Sequence, residues 1–217
     1  MINTTTETPS VDRETEQLIL DAARTVFIRR GTAGARMAEI ARTAGVNQAL
    51  LHYYFRTKER LADAVFERIA SQIFPALMAT LGADISLDDK IDRIVAVYLE
   101  NLSRNPFLPG YLLSELHHHP ERLPQFVTRV VGAEPAGVMS PLLQKLGAQI
   151  QEQVAAGTMR PIAPEQFAIN LMSLCIFPFA ARPMLRLVLG MDDTAFAQFI
   201  EQRKTDLPAF FRNALRP

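Results

Sequence analysis

Three consecutive residues of this chain could read DNA bases. Gln48, Ala49 and Leu50 begin a segment with helical spacing. A glutamine amide can form two hydrogen bonds with adenine, and small apolar side chains can contact the methyl group of thymine. We therefore predict that these three residues contact base edges.

Nearby side chains have the chemistry needed to hold the DNA backbone. Cationic, imidazole and phenol groups hydrogen-bond to phosphate oxygens, and such contacts position a protein without reading sequence. The residues to which we assign this role are Arg36, His52, Tyr53 and Lys58.

Two short helices joined by a tight turn must position these side chains. Met37, Ile40 and Ala41 follow the three-then-four spacing of an amphipathic helix. Gly45 can adopt the positive φ that ends this helix, and Asn47 can cap the next one. In such a helix-turn-helix, the N-terminal residues of the second helix reach base edges in the major groove.

An ordinary helical hairpin with solvated polar residues is the alternative, since hairpins are common. The pattern extends in both directions, however. A helix is predicted over residues 14–30 and is ended by Gly31, and Thr57 can cap a further helix with apolar residues at 61, 65, 66 and 69. A compact three-helix unit with a fourth helix leading out favours DNA binding.

Several motifs in residues 14–66 point to a known family. They are Ala22-Ala-Arg-Thr-Val-Phe27, Gly31, Met37-Ala-Glu-Ile-Ala41, Ala44-Gly-Val46, His52-Tyr-Tyr-Phe55 and Lys58-Glu59. This quarter of the chain resembles the N-terminal domain of the TetR family of bacterial transcriptional regulators. The resemblance implies a homodimeric repressor, a palindromic double-stranded DNA operator with two half-sites, and a C-terminal domain that binds a small molecule and then releases DNA.

Three positions depart from the family pattern. Ala35 stands where a capping Thr or Ser is common, so we expect the first helix of the motif to be capped differently. Leu50 stands where Thr is common, and His52 where Tyr is common. Because the last two residues face DNA in the predicted helix, these differences concern operator sequence and phosphate contacts more than the fold.

Charge is distributed unevenly along the chain. The 217 residues have no net charge, which argues against a protein that simply coats nucleic acid. Residues 14–60, by contrast, hold eight Lys or Arg against five Asp or Glu. Positive charge is therefore concentrated at the predicted DNA-binding motif, although a solvated face of mixed charge would look similar.

The expected organisation is all-α. We predict a disordered arm at residues 1–13, the helix-turn-helix domain at 14–60, and a larger helical ligand-binding and dimerisation domain at 61–217. The N-terminus lacks the basic and apolar segments of a secretory signal, and the longest apolar stretch, 171–181, is too short for a bilayer, so we expect a cytoplasmic protein with no membrane partner. Cys175 within that stretch is predicted to be a buried core residue.

The late helices are strongly apolar and must be covered. They could pack within their own domain or against the same helices of a second subunit, in a four-helix interface. The family resemblance favours the second arrangement, a homodimer formed through the C-terminal helices.

The middle helices are the expected place for a cavity that binds a largely apolar ligand. Plain core packing is the alternative for any one of these residues. Glu115 and His118 are the candidate polar anchors for the ligand. The candidate lining residues, including these two, are Tyr98, Leu102, Phe107, Tyr111, Leu112, Glu115, His118, Phe126, Met139, Leu143, Met172 and Phe177.

No metal or cofactor is predicted. The run His117-His-His119 cannot converge on one ion, because consecutive helical residues point about 100° apart. Phosphate-loop, nucleophile-elbow and zinc-protease motifs are missing from the sequence, so we predict that the protein is not an enzyme. A ligand-responsive DNA-binding repressor is the leading hypothesis, followed by a DNA-binding regulator without small-molecule control and, distantly, an enzyme acting on an apolar substrate.

Overall fold

The computed structural model describes residues 8–217, and the regular secondary structure in that range is entirely helical. This confirms the all-α prediction. In chain order the helices are α1 (Thr8–Gly34), α2 (Met37–Ala44), α3 (Gln48–Phe55), α4 (Lys58–Gly82), α5 (Leu87–Arg104), α6 (Leu108–His118), α7 (Arg122–Val131), α8 (Pro135–Ala155), α9 (Pro164–Ala180), α10 (Arg182–Leu189) and α11 (Asp193–Ala214).

The first helix is longer than predicted and bends where expected. Gly31 has φ 69° and ψ 160°, a non-helical conformation that breaks α1. The helix begins at Thr8, so residues 8–13 are helical and the predicted disordered arm is wrong for them; residues 1–7 of that arm lie outside the described residues. The added part of α1 contacts α3, since the Tyr54 hydroxyl donates to the Asp12 carboxylate at 2.7 Å.

The N-terminal helices share one apolar core. Phe27 of α1, Ile40 of α2 and Leu51 of α3 are completely buried in it. Helix α6 also contributes, through Leu108 and Tyr111. The N-terminal helices are thus packed against a helix from the C-terminal body.

Helix α4 belongs to two cores. Its first half places Leu61, Val65 and Ile69 in the N-terminal core, and its last turns place Leu77 and Leu81 in the C-terminal core. The predicted domain division at residue 60 therefore falls near the beginning of a continuous helix, and the packing of the N-terminal unit extends beyond it.

The C-terminal body is organised around α5. Ile91, Val95 and Leu99 are fully buried there, together with Phe167 of α9 and Phe211 of α11. The aromatic rings of these last two residues pack edge to face, with centroids 5.1 Å apart.

No single helix in residues 8–217 combines the length and apolar character of a membrane span. In the same range, α9 and α10 meet both criteria when they are taken together, but they are bent by 71° at the break between them. The side of α9 that carries Leu171 and Cys175 is buried in the C-terminal core.

Candidate DNA-binding surface

The turn between α2 and α3 has the geometry predicted from the sequence. Gly45 adopts the left-handed conformation at φ 70°, and the Val46 amide donates to the Ala41 carbonyl at 3.0 Å. The Asn47 side chain accepts a hydrogen bond from the Leu50 amide at 2.7 Å. These local bonds fix the direction in which α3 leaves the turn.

The beginning of α2 has a different cap from the family pattern, as expected. Arg36 occupies the N-cap position without a capping side-chain hydrogen bond, and its carbonyl accepts from the Glu39 and Ile40 amides. The Glu39 carboxylate is bonded to Arg29 at 2.6 Å and to Arg30 at 3.0 Å. Glu39 therefore fastens α2 to the end of α1.

Helix α3 presents two of the three predicted base-reading residues to solvent. Gln48 and Ala49 are exposed in its first turn, whereas Leu50 is half-buried. Leu51 and Phe55 anchor the opposite face in the N-terminal core. The exposed face of α3 consequently starts with the Gln48 amide, at the end of the helix that enters the groove in helix-turn-helix proteins.

His52 contacts the predicted adenine-reading residue. Its Nδ1 donates to the Arg56 carbonyl at 3.0 Å, because a carbonyl oxygen can only accept. In a neutral ring Nε2 is then an acceptor, and it lies 3.4 Å from the side-chain nitrogen of Gln48. His52 is thus placed to orient the Gln48 amide, and its phosphate contact stays a prediction.

The other predicted phosphate residues have different surroundings. Arg36 and Tyr53 are exposed, and Tyr53 retains 74% of its accessible surface. Lys58 is half-buried, and its amine donates to the carbonyls of Ala33 at 3.1 Å and Ala35 at 3.4 Å. The Lys58 ammonium thus ties the beginning of α4 to the corner between α1 and α2, so any phosphate contact would have to be shared with these bonds.

The residues proposed for a ligand cavity are spread over several parts of the structure. Tyr98 and Leu102 are buried in the C-terminal core, with Met172 packed against it. Tyr111 lies in the N-terminal core, and Phe126 lies in a third cluster with Phe66. Leu112 touches both of the last two clusters.

The remaining cavity candidates lie near or at the surface. Phe107 and Phe177 are more than half exposed. Met139 and Leu143 line a groove between α8 and the start of α9. Within residues 8–217, the structure therefore does not bring the predicted residues together around one cavity. The prediction was wrong on this point because helical periodicity identifies the apolar face of each helix but not the helix that packs against it. An effector role for individual members stays a prediction.

The two polar anchors proposed for that cavity have protein partners. Glu115 is buried and forms an ion pair with Arg122, whose Nε lies 2.8 Å from Asp63. His118 is exposed, and its Nδ1 donates to the Ser114 carbonyl at 2.8 Å. The buried Arg122 was not anticipated, since its partners are seven and 59 residues away in sequence.

Residues 8–217 contain no group of three His, Cys, Asp or Glu side chains placed to hold a metal ion. The rings of His117 and His118 pack edge to face at 5.4 Å. His119 faces Glu121 instead, at 3.4 Å.

The fold and the exposed α3 define a DNA-binding protein of the helix-turn-helix class. Residues 19–65 match the family model of the bacterial regulatory proteins of the tetR family. The N-terminal domain is therefore a TetR-family DNA-binding domain, which confirms the resemblance found in the sequence.

Curated relatives are regulators of transcription. The chain is 29% identical over 181 residues to the HTH-type transcriptional repressor NicS of Pseudomonas putida, covering 82% of each chain. It is 34% identical over 79 residues to the HTH-type transcriptional regulator BetI of Rhizobium meliloti, which covers 36% of this chain and only 39% of BetI. The second match spans well under two thirds of that relative.

Solved structures share the fold over almost the whole chain. HlyIIR, a hemolysin II transcriptional regulator, has a TM-score of 0.61 and 20% identity, covering 95% of this chain and 99% of its own. FadR from Bacillus subtilis, solved in complex with stearoyl-CoA, has a TM-score of 0.56 and 16% identity, covering 87% and 96%. The matched family model and the curated relative together identify the chain as a transcriptional regulator of the TetR type.

Proposed function

We propose that this protein is a homodimeric repressor that binds a palindromic operator through α3 of each subunit and is released by a small, largely apolar ligand. The observation that carries the DNA-binding part is the exposed first turn of α3, where Gln48 and Ala49 face solvent directly after the Asn47 cap. The name of NicS, a transcriptional repressor, supports repression over activation.

An apolar surface on α9 and α10 supports the homodimer. Ile169 and Phe177 of α9 are more than half exposed, and so are Met184, Leu187 and Val188 of α10, with Leu187 at 85%. Contiguous exposed apolar residues mark interaction sites in soluble proteins. A second copy seated here would supply the second α3 helix that a palindromic operator needs, whose half-sites lie about 34 Å apart.

Ligand control is proposed as a shift between two spacings of the DNA-binding units. Helix α4 runs from the N-terminal core into the C-terminal core, so a change in the packing of the C-terminal body could move it as a lever. A ligand can act only through its different affinities for the two spacings. The fold shared with FadR, which was solved with stearoyl-CoA, supports a ligand-binding C-terminal body.

Selection from a random duplex library, followed by salt titration of the enriched sequence, tests the DNA-binding proposal. We expect a palindromic motif and affinity that falls steeply as salt rises. Enrichment of a motif that lacks two-fold symmetry would contradict binding as a symmetric dimer. Equal, weak binding to all sequences would contradict a sequence-specific regulator.

Sedimentation equilibrium tests the dimer surface. Leu187→Glu places a charge on the α10 surface and is expected to convert a dimer to a monomer, because burying an unpaired charge is costly. Leu113→Glu is a matched control, since Leu113 is also exposed, at 53%, but lies on α6. A dimer that survives Leu187→Glu would place the interface elsewhere.

A further inference from the structure

A cleft of about 690 Å³ lies where α1 meets the turn between α5 and α6. This volume is within the range of small-molecule sites. Helix α1 forms one wall, and the end of α5 with the following turn forms the other. The lining residues that bear on ligand choice are Arg24, Ile28, Arg29, Arg104, Pro106 and Phe107.

One part of the cleft is apolar. Ile28 from α1 faces the cleft, as do Pro106 and Phe107 from the turn. Phe107 is 56% exposed, and the guanidinium of Arg182 lies 4.9 Å from the centre of its ring. That cation–π contact holds the ring and leaves part of its surface available for an aromatic or aliphatic ligand body.

The charged part of the cleft is mainly basic. Two of its three arginines already pair with carboxylates of the protein, since Arg29 shares Glu39 with Arg30 and Arg104 pairs with Glu100. The third, Arg24, pairs with no carboxylate among residues 8–217 and is therefore the best candidate to bind an anionic ligand.

Arg24 is bonded differently from its neighbours. It is half-buried, and among the residues that the structure describes its hydrogen-bond partner is the side-chain amide oxygen of Asn105. Asp21 also lines the cleft, but its carboxylate pairs with Arg68 at 2.9 Å. A guanidinium has five N–H donors, so Arg24 can keep its bond to Asn105 and still bind a carboxylate.

We propose that this junction cleft binds a small carboxylate with an apolar body, with Arg24 holding the carboxylate and Phe107 contacting the body. The site differs from the predicted cavity between the middle helices because it is built from both the DNA-binding unit and the C-terminal body. A molecule bound there would bridge Ile28 of α1 and the turn that begins α6. Binding of the molecule in this cleft does not depend on the proposed function, whereas an effect of the bound molecule on operator affinity rests on it.

A single tryptophan gives a direct readout of the cleft. The chain contains no Trp, so Phe107→Trp introduces a single tryptophan fluorophore and keeps a ring opposite Arg182. The probe is 4-phenylbutyrate, and its neutral counterpart is 4-phenylbutanamide. We expect saturable quenching or a spectral shift with the carboxylate, and affinity for the amide that is about tenfold weaker, because a charge-assisted hydrogen bond is lost.

Arg24→Gln in the Phe107→Trp background should weaken carboxylate binding about tenfold and leave amide binding nearly unchanged. Arg93→Gln is the matched control, since Arg93 is exposed on α5 outside the cleft, and it should leave both affinities unchanged. Saturation-transfer NMR of the probe with the unaltered chain checks that the tryptophan has not created the site.

Three results would overturn the proposal. They are the absence of saturable carboxylate binding, equal affinity for acid and amide, and equal losses in the Arg24 and Arg93 variants. The effect on operator binding is measured separately with the unaltered chain. If the probe binds but operator affinity does not change, the site exists and has no regulatory role. If the protein binds its operator but not the probe, the site is rejected and the proposed DNA-binding function stands.

Discussion

The Arg122 guanidinium on α7 lies 2.8 Å from the carboxylate of Asp63 on α4, and its other side pairs with Glu115 on α6. Arg122 and Glu115 are nearly completely buried, whereas the Asp63 side chain is half exposed. One cation therefore joins three helices next to the N-terminal core. This arrangement makes the position of α4 dependent on α6 and α7.

Removing the buried carboxylate should be costly. Glu115→Gln leaves Arg122 with only the half-exposed Asp63, and we expect the free energy of unfolding to fall by about 3 kcal/mol. Glu100→Gln is the control, because the Glu100–Arg104 pair is exposed and its loss should cost less than about 1 kcal/mol. Urea unfolding followed by circular dichroism measures both, and equal losses would contradict a structural role for the buried pair.

Two residues of the helix-turn-helix should affect DNA binding differently. Gln48→Ala is expected to relax preference at one base pair, at a cost of about 1–3 kcal/mol on the selected operator. Arg36→Ala should weaken binding to operator and random DNA alike and reduce the salt dependence by about one unit. Fluorescence anisotropy over a salt series distinguishes them, and the reverse pattern would mean that the base and phosphate roles are exchanged.

Tyr111 should contribute to alkaline unfolding. Burial raises the pKa of Tyr111 from 10 to about 12. The neutral phenol therefore contributes fully to the stability of the folded protein below pH 10, where the phenol is also neutral in the unfolded chain, and this contribution is lost as the pH rises from 10 to about 12. Between about pH 9 and pH 11, the native chain should lose about 1 kcal/mol more stability than Tyr111→Phe, which keeps the ring. Burial also raises the pKa of Tyr98, but that residue is present in both proteins. Equal losses in urea unfolding would show that Tyr111 ionises freely.

Cys175 should be unreactive in the folded protein. Its side chain is completely buried, and burial raises the pKa of the thiol to about 12. Because the thiolate is the reactive form, we expect negligible reaction with Ellman's reagent under native conditions and one equivalent in denaturant. Rapid labelling of the native chain would indicate that α9 separates from the core.

The local parts of the candidate site could be predicted from the sequence. Gly45 ends α2, while Asn47 and Thr57 cap α3 and α4, because a cap depends on residues only three or four positions away. The four-residue spacing of Leu51 and Phe55 likewise predicts that they share one face of a helix, and both are buried in the N-terminal core.

Contacts between distant segments could not be predicted in the same way. Asp12 meets Tyr54 across 42 positions, and that contact accompanies a first helix longer than its sequence pattern. The position of Lys58 beside α3 predicts a phosphate contact, but its amine donates to the carbonyls of Ala33 and Ala35. The local sequence gives no sign of these two bonds. Helical spacing gives the face on which a residue lies, but the partner of that face depends on how helices far apart in the chain pack together.

The division of α4 between two cores has a practical meaning for protein engineering. A DNA-binding head exchanged with that of a relative at residue 60 would part Leu61, Val65 and Ile69 from the core that they complete. Exchanging the chain up to Ala70 would keep these residues with their own head, but the interface with Leu108 and Tyr111 of α6 would still be mismatched. A chimera of this chain and a relative would therefore need its junction within α4, and the residues of α6 that contact the N-terminal core would have to come from the same protein as that core.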